Sequence, residues 1–194
     1  MLEKVKKEIV KYSRLLYERG LVGAAGGNVS MKINNYILIT AGGKSLRDVE
    51  LEDILVLNEN IEIIEAKLQK KPSKETVLHI SIYQVRNDID SVIHVHPIYV
   101  TGYSVRGKQI PIITASSRLK LKEVPLVGYA DPGSSELAAL VKNCVKESPG
   151  YVNAVALTSH GLIAFAKGLS TCFDITELVE ETAKIAFISE NLKI

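Results

Sequence analysis

The sequence predicts an α/β fold, a mixed sheet with helices on its faces. Three observations carry this. Leu2, Val5, Ile9, Tyr12 and Leu16 recur at helical spacing. Two apolar runs, Val29–Ile33 and Tyr36–Thr40, flank Asn34-Asn35, a hairpin signal that an all-parallel sheet would not contain. From Ser73 onward, helical stripes alternate with short apolar strands.

Taken in order, residues 2–19 form an amphipathic helix, and Gly20 is placed to end it. Gly23-Ala-Ala-Gly-Gly-Asn-Val-Ser30 follows. Small residues let backbone amides approach a ligand, and exposed N–H groups bind anions, although a plain turn has the same composition. It is not a dinucleotide fingerprint, because Ala25 stands where the second glycine belongs. After the hairpin comes a second glycine loop, Thr40–Ser45. Gly43-Lys44-Ser45 ends like a P-loop, but Leu38 occupies the required first glycine, which excludes the nucleotide reading. A glycine loop with a lysine remains a phosphate candidate.

Ile54–Leu57 and Ile61–Ala66 read as strands joined at Asn58–Asn60. Ser73 is the expected N-cap of a helix with the stripe Leu78, Ile82 and Val85, ending near Arg86. Ser73, Lys74 and Glu75 then sit at a helix N-terminus, where anions are favoured, though locally a first-turn acid complementing the helix dipole is the more ordinary reading of Glu75. His79 reads as a packing histidine. Ile98–Val105 is a helix, and Ile110–Thr114 and Val124–Val127 are strand-like. Asp131-Pro-Gly-Ser-Ser135 opens a helix running to about Val145. Val152–Thr158 and Leu162–Ala166 are strands around Ser159-His160-Gly161, and Ser170 caps a last helix to about Leu192.

The 194 residues, 46% hydrophobic and 24% charged, suit one domain spanning 1–194 with a sizeable core. A net charge of +2 with scattered basic residues gives no nucleic-acid stripe. Cys144 and Cys172 form no CxxC pair and are expected as free thiols in a reducing cytoplasm. The charged N-terminus lacks a signal core, and no apolar run approaches the roughly 20 residues of a membrane span.

Ser91-Val-Ile-His-Val-His-Pro97 is the most chemically pointed stretch. Strand side chains alternate faces, so His94 and His96 project the same way and can close on one transition-metal ion. Pro97 cannot donate to a ladder, so the strand stops there with His96 at its rim. The pair alone is also readable as two structural histidines. His160, between two strands and followed by a glycine, adds a third imidazole at a turn. Three histidines on one metal leave an open position, the pattern of a catalytic zinc.

Five blocks carry a resemblance: Gly26-Gly-Asn-Val-Ser30, Ile39-Thr-Ala-Gly-Gly43, Pro72-Ser-Lys-Glu75, His94-Val-His96 and Ser159-His-Gly161. In this order and spacing the chain resembles the class II aldolase/adducin family from about residue 5 to 190. The resemblance implies a three-layer α/β/α sandwich with a mostly antiparallel sheet. It implies one zinc, or another divalent transition metal, per subunit, held by His94, His96 and His160. It implies Glu75 as the catalytic acid/base, and Asn28, Gly43 and Ser73 around a substrate phosphate. The implied reaction is cleavage of a phosphorylated ketose such as L-fuculose 1-phosphate to dihydroxyacetone phosphate and an aldehyde, through a metal-stabilised enediolate. The implied assembly is a homotetramer with interfacial active sites.

The chain departs from the family's aldolases in three places. Lys74 stands where they usually carry a second serine, and a lysine can pair with phosphate as a point charge. Ile110-Pro111 is followed by Ile112-Ile113-Thr114-Ala115-Ser116, without the tyrosine the fuculose-phosphate aldolases donate across the subunit interface. The sequence ends at Ile194, without their tyrosine-bearing tail. Tyr129, in Tyr-Ala-x-x-Gly, reads as structural. Glu75 favours the aldolase over the family's epimerases, which typically carry Asp there. A sugar-phosphate epimerase, dehydratase or decarboxylase is the alternative enzyme, and a non-catalytic adducin-like module is disfavoured by the complete histidine triad.

Overall fold

The computed structural model describes residues 1–66 and 70–192. Its strands are β1 (Asn28–Ile33), β2 (Tyr36–Thr40), β3 (Ile54–Asn58), β4 (Ile63–Glu65), β5 (Ser91–Val95), β6 (Leu126–Val127), β7 (Ala154–Leu157) and β8 (Gly161–Ala166). They lie side by side in the order β4-β3-β2-β1-β5-β8-β7-β6. The neighbours pair antiparallel except β6 with β7, so the sheet is mixed and mostly antiparallel. The helices are α1 (Leu2–Glu18), α2 (Thr76–Tyr83), α3 (Ile98–Val105), α4 (Ala115–Lys120), α5 (Ser135–Glu147) and α6 (Leu169–Asn191).

Alternation along the strands sorts the core into two layers. Val29, Met31, Ile93, Val95, Leu162 and Ala164 pack on one side with Val5, Ile9 and Leu16 of α1, Val100 of α3 and Val179 of α6. Val92, Ile163 and Phe165 pack on the other with Leu78 and Ile82 of α2 and Leu137 and Val141 of α5. The three-layer α/β/α arrangement follows from that sorting. His94 shares the parity of Val92, and Asn28 and Ser30 share the opposite parity to Val29, so all three face α2. No helix among the described residues is long and apolar enough to cross a membrane.

The β1–β2 hairpin turns at Asn34-Asn35 as expected, with Asn34 in the left-handed region at φ 52°. Several elements differ from expectation. Strands β6 and β7 are shorter than the expected 124–127 and 152–158, and α2 ends at Tyr83 rather than near Arg86. Four further differences have a local cause. The 110–114 run pairs with no strand: Pro111 offers no N–H, and Thr114 instead caps α4 in a reciprocal pair of hydrogen bonds with Ser117. Helix α2 starts at Thr76, so Ser73 precedes it and Glu75 occupies the N-cap position. Ser170 lies inside the first turn of α6, whose N-cap is Gly168 at φ 85° with its N–H donated to Asp90 at 2.7 Å. The strand expected over 61–66 is confined to Ile63–Glu65, because Ile61 takes a φ of 67° in the turn before it.

Candidate metal centre and active site

Strand β5 delivers His94, and the extended residue after it delivers His96. Antiparallel pairing of β5 with β8 sets Val95 opposite Leu162, which brings the β7–β8 turn beside them. In that turn Ser159 adopts φ 56° and the His160 N–H bonds the Leu157 carbonyl at 3.1 Å. A non-glycine residue in the left-handed region costs on the order of 1 kcal/mol, and here it aims His160 back over the sheet end. The three imidazoles meet with ring centroids 4.8, 4.8 and 5.2 Å apart, and one ligand nitrogen of each lies within 4.8 Å of the others.

Glu75 closes the fourth side. Its Oε2 lies 3.1 Å from His94 Nε2 and its Oε1 3.3 Å from His160 Nε2. The carboxylate is 7% exposed, and Asn28 Nδ2 donates to Oε2 at 2.8 Å. Asn28 pairs directly with His94 across β1 and β5, which explains why one asparagine reaches the centre of the cluster.

The donor chemistry fits a cation. His94 Nδ1 lies 3.0 Å from the Leu162 carbonyl, which only accepts, so Nδ1 carries the proton. Burial, then the neighbouring His96 and His160, hold His94 well below the usual histidine range, so its Nε2 is a bare lone pair. That lone pair faces His96 Nε2 at 3.0 Å and the Glu75 carboxylate at 3.1 Å. Burial also lowers His96 and His160, His96 further through His160, while Glu75 works the other way on both. Neutral imidazoles are the state a metal requires. Glu75 Oε1 and His160 Nδ1 are buried without a hydrogen-bond partner. Three neutral imidazoles and a carboxylate converging on one point are a donor set that suits a divalent ion, and three imidazoles suit zinc.

In front of the cluster opens a cavity of about 530 Å³, lined by both glycine segments, Lys71–Glu75, His96, Pro132 and His160. All the anticipated site residues lie in or at its floor. Asn28, Gly43, Ser73, Lys74, Glu75, His96 and His160 line it, and His94 sits fully buried beneath. The second glycine loop and the segment before α2 are stitched together: Gly42 N–H bonds the Lys71 carbonyl at 3.0 Å, and Ala41 bridges Pro72. Ser73 bends the chain into α2 by accepting the Glu75 N–H at its Oγ, 3.3 Å away, and the Thr76 hydroxyl at its carbonyl, 2.7 Å away.

Lys44, a sequence candidate for phosphate, turns instead to the buried Asp53 at 3.3 Å, which Lys70 also holds at 2.8 Å. Tyr129 is exposed and bonded to Asp131 rather than lining the cavity. Lys71 and Pro132 line it without having stood out in the sequence. Pro132-Gly133 is a visible turn signal, whose Gly133 lies against Lys74. His79 is the larger omission. It is fully buried, with Nε2 2.5 Å from Asn28 Oδ1 and Nδ1 2.7 Å from Ser30 Oγ.

The profile of the family described as Class II Aldolase and Adducin N-terminal domain matches residues 7–187. The chain is 36% identical over 186 residues to an L-fuculose phosphate aldolase of Methanococcus maripaludis, covering 96% of this chain and 98% of the relative. It is 28% identical over 201 residues to a 3-oxo-tetronate 4-phosphate decarboxylase of Haemophilus influenzae, covering 100% of this chain and 92% of the relative. A solved L-fuculose 1-phosphate aldolase superposes with a TM-score of 0.89 at 32% identity, covering 97% of this chain and 87% of that one.

Proposed function

The chain belongs to the class II aldolase and adducin family, and from that premise we propose that it is a metal-dependent aldolase. It splits a phosphorylated ketose resembling L-fuculose 1-phosphate into dihydroxyacetone phosphate and an aldehyde. The observation that carries this reading is the placement of Glu75, its two oxygens 3.1 and 3.3 Å from His94 and His160 at the floor of a glycine-lined cavity. His94, His96 and His160 would hold one divalent ion, zinc by ligand set. When bound, such an ion supplies Lewis-acid stabilisation of the negative charge that develops on the substrate.

The chain's own groups do the rest. The backbone around Gly43, the Ser73 hydroxyl and the Asn28 carboxamide bind the phosphate, and Lys74 adds a point charge at the rim. Holding the phosphate there presents the neighbouring carbonyl and hydroxyl of the ketose to the three imidazoles. Glu75 moves the proton to and from the carbon freed as the C–C bond breaks, a role worth about 10²–10⁴-fold. No Schiff base is required, so no lysine serves as nucleophile. A cytoplasmic homotetramer sharing its active sites across interfaces belongs to the same proposal.

A second reading, decarboxylation of a related sugar-acid phosphate, is favoured by Lys74 at the cavity wall and by the likeness to the Haemophilus influenzae enzyme named for that reaction. A panel of L-fuculose 1-phosphate, L-ribulose 5-phosphate and 3-oxo-tetronate 4-phosphate separates the two. Dihydroxyacetone phosphate released together with an aldehyde from L-fuculose 1-phosphate supports the aldolase. Carbon dioxide released from 3-oxo-tetronate 4-phosphate, which leaves dihydroxyacetone phosphate behind without an aldehyde, supports the decarboxylase. A metal-loaded protein inert on the whole panel overturns both.

A further inference from the structure

Glu75 at the N-cap of α2, then His79 and Tyr83 within it, succeed one another at four-residue intervals and share a face. Opposite them, Asn28 and Ser30 share a face of β1. Four helical residues advance about 6 Å and two strand residues about 7 Å, so the two ladders stay nearly in step. They interdigitate as a continuous hydrogen-bonded row. Tyr83 Oη lies 2.8 Å from Ser30 Oγ, Ser30 Oγ 2.7 Å from His79 Nδ1, His79 Nε2 2.5 Å from Asn28 Oδ1, and Asn28 Nδ2 2.8 Å from Glu75 Oε2.

The direction of every bond follows from its last acceptor. A carboxylate only accepts, so the Asn28 NH₂ must face Glu75 and its carbonyl must face His79. His79 must then carry its proton on Nε2. Burial lowers His79 to about 3, so it is neutral and its Nδ1 is free to accept from Ser30. Burial keeps the Tyr83 phenol protonated, so it donates to Ser30. Four side chains thus point their donors one way, from the interior of the protein to Glu75.

An asparagine amide has two orientations of similar shape, and only one is useful here. Turned over, Asn28 would set its carbonyl against the carboxylate. Nothing in the glycine loop itself chooses between them; the histidine behind does. We propose that His79, held as the Nε2–H tautomer, is a positioning residue that fixes the Asn28 carboxamide and, through it, keeps Glu75 aimed between His94 and His160. This rests on the aldolase reading for its effect on turnover, but the hydrogen-bond geometry it asserts does not.

The test has two arms. In wild-type protein labelled with ¹⁵N-histidine, NMR should show one slowly exchanging ring protonated at Nε2 only, unchanged into mildly acidic solution. A ring protonated at Nδ1, or a cationic ring, overturns the proposal. In the second arm, His79→Leu should lower kcat about 10- to 100-fold while metal content per chain stays at the wild-type level. His79→Gln, whose amide can still donate to Asn28, should recover most of the loss. Adding Asn28→Ala to His79→Leu should cost no more than the worse single change, since one acts through the other. A His79→Leu enzyme as fast as wild type, a His79→Gln enzyme as slow as the leucine variant, or additive losses would each overturn it. Should the leucine variant fail to fold, the tautomer and the glutamine variant still decide. A wild type that releases no dihydroxyacetone phosphate defeats the aldolase reading, whereas one that does, matched by His79→Leu, defeats the positioning role alone.

Discussion

Gly161 lies so close to His96 that a methyl group on its α-carbon would stand 2.8 Å from His96 Cδ2 and collide with the Val95 carbonyl. The bare glycine is what allows the β7–β8 turn to bring His160 against the end of β5. Gly26 stands over the same ring from the other side, where a methyl would meet His96 Nδ1 at 2.7 Å.

Gly161→Ala should therefore displace His96 or the turn. We expect about 1–3 kcal/mol of lost stability from overpacking and a fall in metal affinity. Gly150→Ala, where an added methyl meets nothing within 4 Å, is the control and should change stability by under about 0.5 kcal/mol. Urea titrations and metal analysis of both variants check this, and a Gly161→Ala protein with full metal affinity would contradict the packing argument.

Glu75→Gln keeps the shape of the side chain and removes its capacity to take a proton. Metal should stay bound, since the three histidines are untouched, while kcat falls about 10²–10⁴-fold. Turnover close to wild type would remove Glu75 from its role.

Acid should destabilise the metal-free protein through its buried histidines. His79 is held at about 3 in the fold, against roughly 6.5 in an unfolded chain. Above that unfolded value both states are neutral and the group's contribution is fully present. As pH falls from about 6.5 toward 3 the unfolded chain takes up a proton that the fold refuses, and stability drops by up to about 1.4 kcal/mol per pH unit. Urea midpoints measured from neutral to mildly acidic pH should follow this slope. His79→Gln should flatten it by one proton's share, and an unchanged slope in that variant would assign the effect elsewhere.

Metal should stabilise the fold by mass action. At a free zinc concentration about 100 times Kd the gain is about 2.7 kcal/mol, read as a rise in Tm over chelator-treated protein, with one ion per chain. His94→Ala should abolish both the rise and the activity. A wild type whose Tm ignores zinc and chelator alike would deny the site.

Much of this centre was legible because its parts obey local rules. The His94-Val-His96 spacing puts both rings on one side of any strand, and a glycine after His160 marks a tight turn wherever it occurs. The hairpin at Asn34-Asn35 needed only a residue tolerant of positive φ. His79 was not legible as more than a packing residue. Its partners, Asn28 and Ser30, lie some fifty positions away, and only the seating of α2 on β1 brings them within reach. The strand expected at Ile110–Thr114 failed for a comparable reason, since β-branched composition is a preference that needs a partner edge, and Pro111 declines one. There the better signal was the Thr114/Ser117 capping pair, which is visible in the sequence.

The three central strands, β1, β5 and β8, each contribute to one cluster, and long stretches of chain separate them. An unfolded chain can offer a metal only the His94/His96 pair as a chelate. The complete set exists once those strands have zipped together and the turn before β8 has closed. On the proposed reading, ion capture would be a late event in assembly, and a bound ion would act as a latch on the finished sheet, slowing the chain's unfolding and leaving its rate of folding largely alone.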